Sequence, residues 1–188
     1  MSTGHYFFAL SLPDEVKESL REISNQLQKK YPFKNWVHHE DYHITLAFLG
    51  RAAEKQLLEA IHRTKQALCD FPAFPLSVGG IGVFGSNKAP RILWADTGHS
   101  DALKELQQLT YDCCTVAGFH LEKRPFKPHI TLARKWMGEQ SFIKDELKQY
   151  AEEFFPNIEC LAMEAVVYQT HPERIPKYEK IESFKLLS

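Results

Sequence analysis

The sequence predicts an α+β chain built from a duplicated lobe, and three observations carry that expectation. The tetrapeptide His43-Ile44-Thr45-Leu46 returns unchanged as His129-Ile130-Thr131-Leu132, 86 residues later. Around each copy, short runs rich in β-formers alternate with helix-like stripes in the same order. With 188 residues, 44% hydrophobic and 25% charged, the chain is long enough to bury a real core and has an ordinary globular balance.

The elements follow in order. Tyr6 to Leu12 reads as a buried strand. Leu12, Val16, Leu20, Ile23 and Leu27 then recur every three or four residues, an amphipathic helix whose start is marked by Ser11 and Pro13. After a loop around Tyr31-Pro32, His43 to Leu49 is a strand closed by Gly50, and Leu57, Leu58, Ile61 and Leu68 predict a second helix. Phe74 to Phe84 is a glycine-interrupted strand region. The order then restarts with a strand at Ile92 to Asp96, a helix carrying Leu103, Leu106, Leu109, Cys113 and Val116, a loop at Pro125 to Pro128, and a strand at His129 to Ala133. A helix near Phe142 to Tyr150, a strand from Leu161 to Tyr168 and an edge strand from Tyr178 to Leu186 finish the chain. The expectation is one domain over residues 1–188, with repeats of about 5–86 and 91–172 and a final strand at 178–186.

Charge and cysteine usage narrow the function classes. With 23 basic against 24 acidic side chains the formal charge is -1, so bulk positive charge cannot coat nucleic acid, and any anion site is local. Residues 122–135 offer one: Lys123, Arg124, Lys127, Arg134 and Lys135 against Glu122, a net of +4. The bland reading is a solvated basic loop. The apolar run at Tyr6 to Leu12 lacks the length and basic start of a signal peptide, and no run approaches the ~20 residues needed to span a bilayer, so a cytoplasmic location is the default expectation. Cys69, Cys113, Cys114 and Cys160 have no CxxC spacing and read as reduced thiols.

In a strand, alternation puts His43 and Thr45 on one face and Ile44, Leu46 and Phe48 on the core face; His129 and Thr131 share a face in the same way. Side by side, the two strands would bring two imidazoles and two hydroxyls to one cleft. Opening a cyclic phosphodiester needs one group to take a proton from water and another to give one to the leaving oxygen, and histidine, with a pKa near neutrality, serves both. Thr45 and Thr131 can donate to the non-bridging oxygens. Arg134 would supply a cation, but an uninterrupted strand aims it at the apolar side, so a strand end or bulge is required.

Further pieces go with the paired HxT strands: Phe7-Phe8-Ala9-Leu10, Ala47-Phe48-Leu49-Gly50, Gly82-Val83-Phe84, Arg91-Ile92-Leu93-Trp94, and Arg124-Pro125-Phe126-Lys127-Pro128 before the second histidine. Across essentially the whole chain this resembles the two-histidine (2H) phosphoesterase superfamily, specifically the bacterial and archaeal RNA 2',3'-cyclic phosphodiesterases once called 2'-5' RNA ligases. The resemblance implies a bilobal fold with two antiparallel sheets flanking a central cleft and helices outside, no metal or cofactor, and hydrolysis of a 2',3'-cyclic phosphate to a 2'-phosphomonoester. It also implies His43 as proton donor, His129 as acceptor, and a phosphate-binding Arg134. The implied partners are RNA ends or nucleoside 2',3'-cyclic phosphates, with tRNA halves as a ligation substrate; no membrane partner is expected from the hydropathy, and a monomer is the default expectation for a state the sequence leaves open. Many relatives begin the first strand with an arginine where this chain has His5.

Two signatures compete and lose. His39-Glu40-Asp41-Tyr42-His43 spells HExxH, which binds zinc only on a helix, whereas His43 opens a strand-like run. Gly80-Ile81-Gly82-Val83-Phe84-Gly85 spells GxGxxG without a following helix. His38, His62, His99, His120 and His171 read as surface or structural residues. Phe7, Phe84, Trp36 and Phe126 are candidates to stack on a base, each weighed against a core role. The rival functions are an RNA-end or nucleotide-binding module with little catalysis, and a 2'-5' oligonucleotide phosphodiesterase on the same scaffold.

Overall fold

The computed structural model describes residues 4–188. The elements are β1 (Tyr6–Ser11), α1 (Asp14–Lys30), β2 (Phe33–Trp36), a 3-10 turn (His39–Asp41), β3 (His43–Gly50), α2 (Glu54–Ala67), β4 (Phe74–Val78), β5 (Ile81–Gly85) and β6 (Pro90–Asp96). After these come α3 (Asp101–Val116), β7 (His129–Trp136), α4 (Lys144–Phe154), β8 (Ile158–Ala162), β9 (Glu164–Thr170) and β10 (Tyr178–Lys185). No helix among the described residues is long and apolar enough to cross a membrane.

The main sheet is antiparallel throughout, in the order β10-β9-β1-β3-β7-β6-β5, with β2 also pairing β7; β4 and β8 form a separate two-stranded sheet. Two four-stranded halves, β10-β9-β1-β3 and β2-β7-β6-β5, meet through one residue pair, Ile44 opposite Ile130. So narrow a seam leaves the halves free to splay on either side of it. That seam lies one residue from each repeated histidine.

The helices cover the core face. α1 buries Val16, Leu20, Ile23 and Leu27, with Asp14 and Glu15 in its first turn and Lys29 and Lys30 in its last, charges that suit the helix dipole. Its N-cap is Pro13, while Ser11 belongs to β1 and does not start the helix. α3 is capped by Ser100, whose Oγ accepts from the Leu103 amide at 3.2 Å. Its buried stripe is Leu103, Leu106, Thr110 and Cys114, not the expected Cys113 and Val116, and Val116 is 65% exposed. Steps of three, four and four track the 3.6-residue turn, whereas the expected spacing drifts off the face. Each fully buried leucine contributes about 1.5–3 kcal/mol. Phe8, Leu10, Leu20, Ile44, Leu93, Leu103, Leu106 and Ile130 are fully buried in that core. The opposite face of β1 and β9 carries a second cluster, Phe7, Ala9, Val166 and Tyr168, with Tyr178 packed on it.

Two further expectations change. The loop after Tyr31 contains β2, and the strand expected from Leu161 to Tyr168 is two strands, β8 and β9, in different sheets.

Candidate active site

Both repeated strands carry a bulge at the same place. In β3, Phe8 faces Ala47 and Ala9 faces Thr45, so Leu46 is the extra residue; in β7, Leu93 faces Ala133 and Trp94 faces Thr131, so Leu132 is. Each bulge buries two successive apolar side chains, Leu46-Ala47 and Leu132-Ala133, and reverses the alternation beyond them. Arg134 is thereby carried to the side of His129 and Thr131, which supplies the interruption its position required. The same reversal takes Phe48 off the core face, where strict alternation had placed it, and leaves it 58% exposed.

The antiparallel seam at Ile44 and Ile130 sets His43 toward Thr131 and Thr45 toward His129, with the histidines at diagonal corners. Each imidazole is oriented alike. Nδ1 of His43 lies 2.7 Å from the Asp41 carbonyl oxygen, and Nδ1 of His129 lies 2.7 Å from that of Lys127. A carbonyl only accepts, so Nδ1 donates and the neutral ring presents an unprotonated Nε2. Nε2 of His43 is 3.1 Å from Oγ1 of Thr45.

Aromatic rings wall both imidazoles. Phe7, Tyr178 and Tyr168 lie 4.8, 5.2 and 5.9 Å from the His43 ring centre, and Phe84 and Trp94 lie 4.9 and 6.4 Å from that of His129. Burial therefore lowers the His43 pKa from 6.5 to about 4, with the positive charges of Arg134 and Lys17, and that of His129 when it is protonated, pulling the same way and the Asp41 carbonyl opposing. His129 is lowered by burial and by Arg134, against the Lys127 carbonyl. Burial pushes the Tyr178 phenol up while Arg134 draws it down. The Arg134 charge thus acts on both histidines and on Tyr178.

Asp41 escaped the sequence reading. Its buried carboxylate accepts from the Lys177 amide at 2.8 and 3.1 Å and from the Tyr178 amide at 3.1 Å, while its carbonyl holds His43. One residue thus fixes the histidine and the tyrosine that walls it. Gln107 is also unforeseen: its Nε2 donates to the Leu46 carbonyl at the first bulge, at 3.2 Å.

The competing signatures resolve structurally. His39 sits in the 3-10 turn and His43 in β3, so they share no helical face, and no cluster of three or more metal-ligating side chains occurs among the described residues. Gly80 and Gly85 have φ of 81° and 107°, and a Cβ on Gly82 would lie 2.2 Å from the Trp94 ring. Phe7 is only 4% exposed and walls His43, so it offers no free face to a base, and Trp36 is half-buried with its ring edge-on to Phe33. Phe84 and Phe126 do line the cleft, and His5 packs edge-on to Phe48 at 6.0 Å.

A family model described as LigT-like phosphoesterase matches residues 10–94 and 96–174. An RNA 2',3'-cyclic phosphodiesterase of Geobacillus stearothermophilus is 40% identical over 189 residues, covering 100% of this chain; the chain spans 59% of that relative's length. One of Bacillus subtilis is 34% identical over 182 residues, covering 97% of this chain and 96% of its own. Among solved structures, TT0787 of Thermus thermophilus superposes with a TM-score of 0.80 at 22% identity, covering 97% of each chain. Escherichia coli LigT complexed with 3'-AMP gives 0.77 at 21%, covering 100% of each. At these identities the superpositions establish a shared fold.

Proposed function

The chain belongs to the LigT-like phosphoesterase family, and from that premise we propose that it hydrolyses a 2',3'-cyclic phosphate at an RNA end to a 2'-phosphomonoester, with His43 and His129 as the acid–base pair. The observation that carries this reading is the seam at Ile44 and Ile130, which sets two identically oriented imidazoles across one cleft.

In the proposed step, Nε2 of His129 takes a proton from water as the water oxygen bonds to phosphorus, the P–O3' bond breaks, and protonated Nε2 of His43 gives its proton to O3'. Thr45 and Thr131 donate to the non-bridging oxygens, and Arg134 balances their charge. In the free protein both histidines are held neutral, so the acid must be charged as substrate binds. The phosphodiester monoanion supplies the cause: placed between the rings it offsets the Arg134 field and draws a proton onto His43. With a 5'-hydroxyl in place of water the same step, O5' bonding to phosphorus as the P–O3' bond breaks, would join two RNA ends through a 2'-5' linkage, and its reverse would cleave that linkage. We read residues 1–188 as one bilobal domain of two repeats.

The test is turnover of a nucleoside 2',3'-cyclic phosphate in excess EDTA with the product position resolved by phosphorus NMR. The 2'-phosphate alone is expected. A 3'-phosphate product, turnover abolished by EDTA, or tight binding without product would each refute the reading, the last in favour of a binding module.

A further inference from the structure

The seam is flanked unequally. On one side of the Ile44–Ile130 pair, β2 lies against β7 and closes the splay between the halves. On the other, residues 45–50 of β3 run on toward residues 120–128, which form no strand, and no ladder pairs the two segments among the described residues. The cleft continues there as a cavity of about 1070 Å³ that still touches Thr45 and His129. That volume is at or above the top of the roughly 300–1000 Å³ range that serves one small ligand. It has room beyond a single terminal nucleotide.

Its lining has the chemistry of a nucleic-acid strand. Phe48, Phe84 and Phe126 offer apolar ring surface, and Tyr111 of α3 forms part of the wall. Two guanidinium groups border it. Arg91 is exposed and has no ion pair among the described residues, and Arg124 pairs only with Glu122 on the same exposed loop. A carboxylate or amine ligand would not need both rings and two cations; a phosphodiester flanked by bases uses both, the planar fork of arginine matching phosphate oxygens.

We propose that this cavity is a subsite for the nucleotide immediately 5' of the cyclic end, with Arg91 and Arg124 holding the phosphodiester that links it to the terminal nucleotide. The preferred substrate class is then an oligoribonucleotide end, not a free nucleoside cyclic phosphate. The inference rests on the cyclic-phosphate reading above.

The experiment compares kcat/KM for a nucleoside 2',3'-cyclic phosphate, for a dinucleotide ending in the same group, and for that dinucleotide with an uncharged methylphosphonate link. Wild type and Arg91→Gln/Arg124→Gln are assayed. The natural dinucleotide is expected to exceed the mononucleotide by roughly tenfold or more, the return from one charge-assisted contact. Both the methylphosphonate link and the double variant should remove that advantage, with mononucleotide turnover unchanged. Equal values for mono- and dinucleotide in wild type overturn the subsite. An advantage that survives both perturbations overturns its assignment to the two arginines and the linking phosphate. Absence of turnover on all three substrates in wild type defeats the cyclic-phosphate reading itself, and the subsite with it.

Discussion

Replacing Asp41 by alanine should be the most damaging single change outside the core. Its carboxylate takes two backbone N–H groups through three contacts of 2.8–3.1 Å, from residues 136 and 137 positions away in sequence. A hydrogen bond to a charged group contributes about 1.5–3 kcal/mol, and leaving its partner unsatisfied adds to the loss, so the variant should lose about 3–5 kcal/mol of stability. For a domain of this size each kcal/mol moves Tm by about 2–4 °C, which gives a fall of roughly 6–20 °C. Asp41→Asn, which keeps one acceptor oxygen, should lose about half as much. The assay is urea and thermal unfolding, read beside turnover of a cyclic phosphate. Turnover should fall as well, because freeing the start of β10 loosens Tyr178 against His43. A loss below about 1 kcal/mol in Asp41→Ala would refute the view that this carboxylate ties β10 to the histidine.

Other outcomes follow from the same geometry. In an NMR titration of the free protein the His43 ring should become charged only near pH 4, and Arg134→Gln should raise the midpoints of both His43 and His129; unchanged midpoints would place the guanidinium elsewhere. Because the folded pKa of His43 lies below its unfolded value, its stabilising contribution is fully present above pH 6.5 and is lost as pH falls toward about 4. Relative to His43→Gln, wild type should therefore lose about 3 kcal/mol across that interval in denaturation experiments; parallel curves would contradict the shift. Gly82→Ala sets a methyl 2.2 Å from the Trp94 ring, so it should cost about 1–3 kcal/mol and displace the indole from His129, visible in tryptophan fluorescence.

The candidate site was legible because its two histidines are written in identical tetrapeptides, and alternation put His43, Thr45, His129 and Thr131 on the face opposite the buried Ile44 and Ile130. Alternation then failed at Phe48 for a reason the residues contain. Leu46-Ala47 and Leu132-Ala133 place two apolar residues in succession within otherwise alternating strands, and both pairs are buried by bulges. Arg134 announced its bulge through parity; Phe48, an apolar residue content on either face, did not. β2 was missed because Phe33-Lys34-Asn35-Trp36 is short, half polar and paired only to a strand a hundred residues away. The join between β8 and β9 falls at Met163 with no glycine or proline to mark it. Asp41 and Tyr178 could not be paired from sequence, since their link is a carboxylate to a distant backbone amide.

The central claim is that both imidazoles move protons in one step. It is tested most directly by kcat for a nucleoside 2',3'-cyclic phosphate in wild type, His43→Ala, His129→Ala and the double variant, each first shown to be folded by circular dichroism. Each single variant should lose a factor of about 10²–10⁴, and the double variant should be little worse than either, because the two act as a unit. Retention of more than about a tenth of wild-type kcat by either single variant would contradict the two-histidine account.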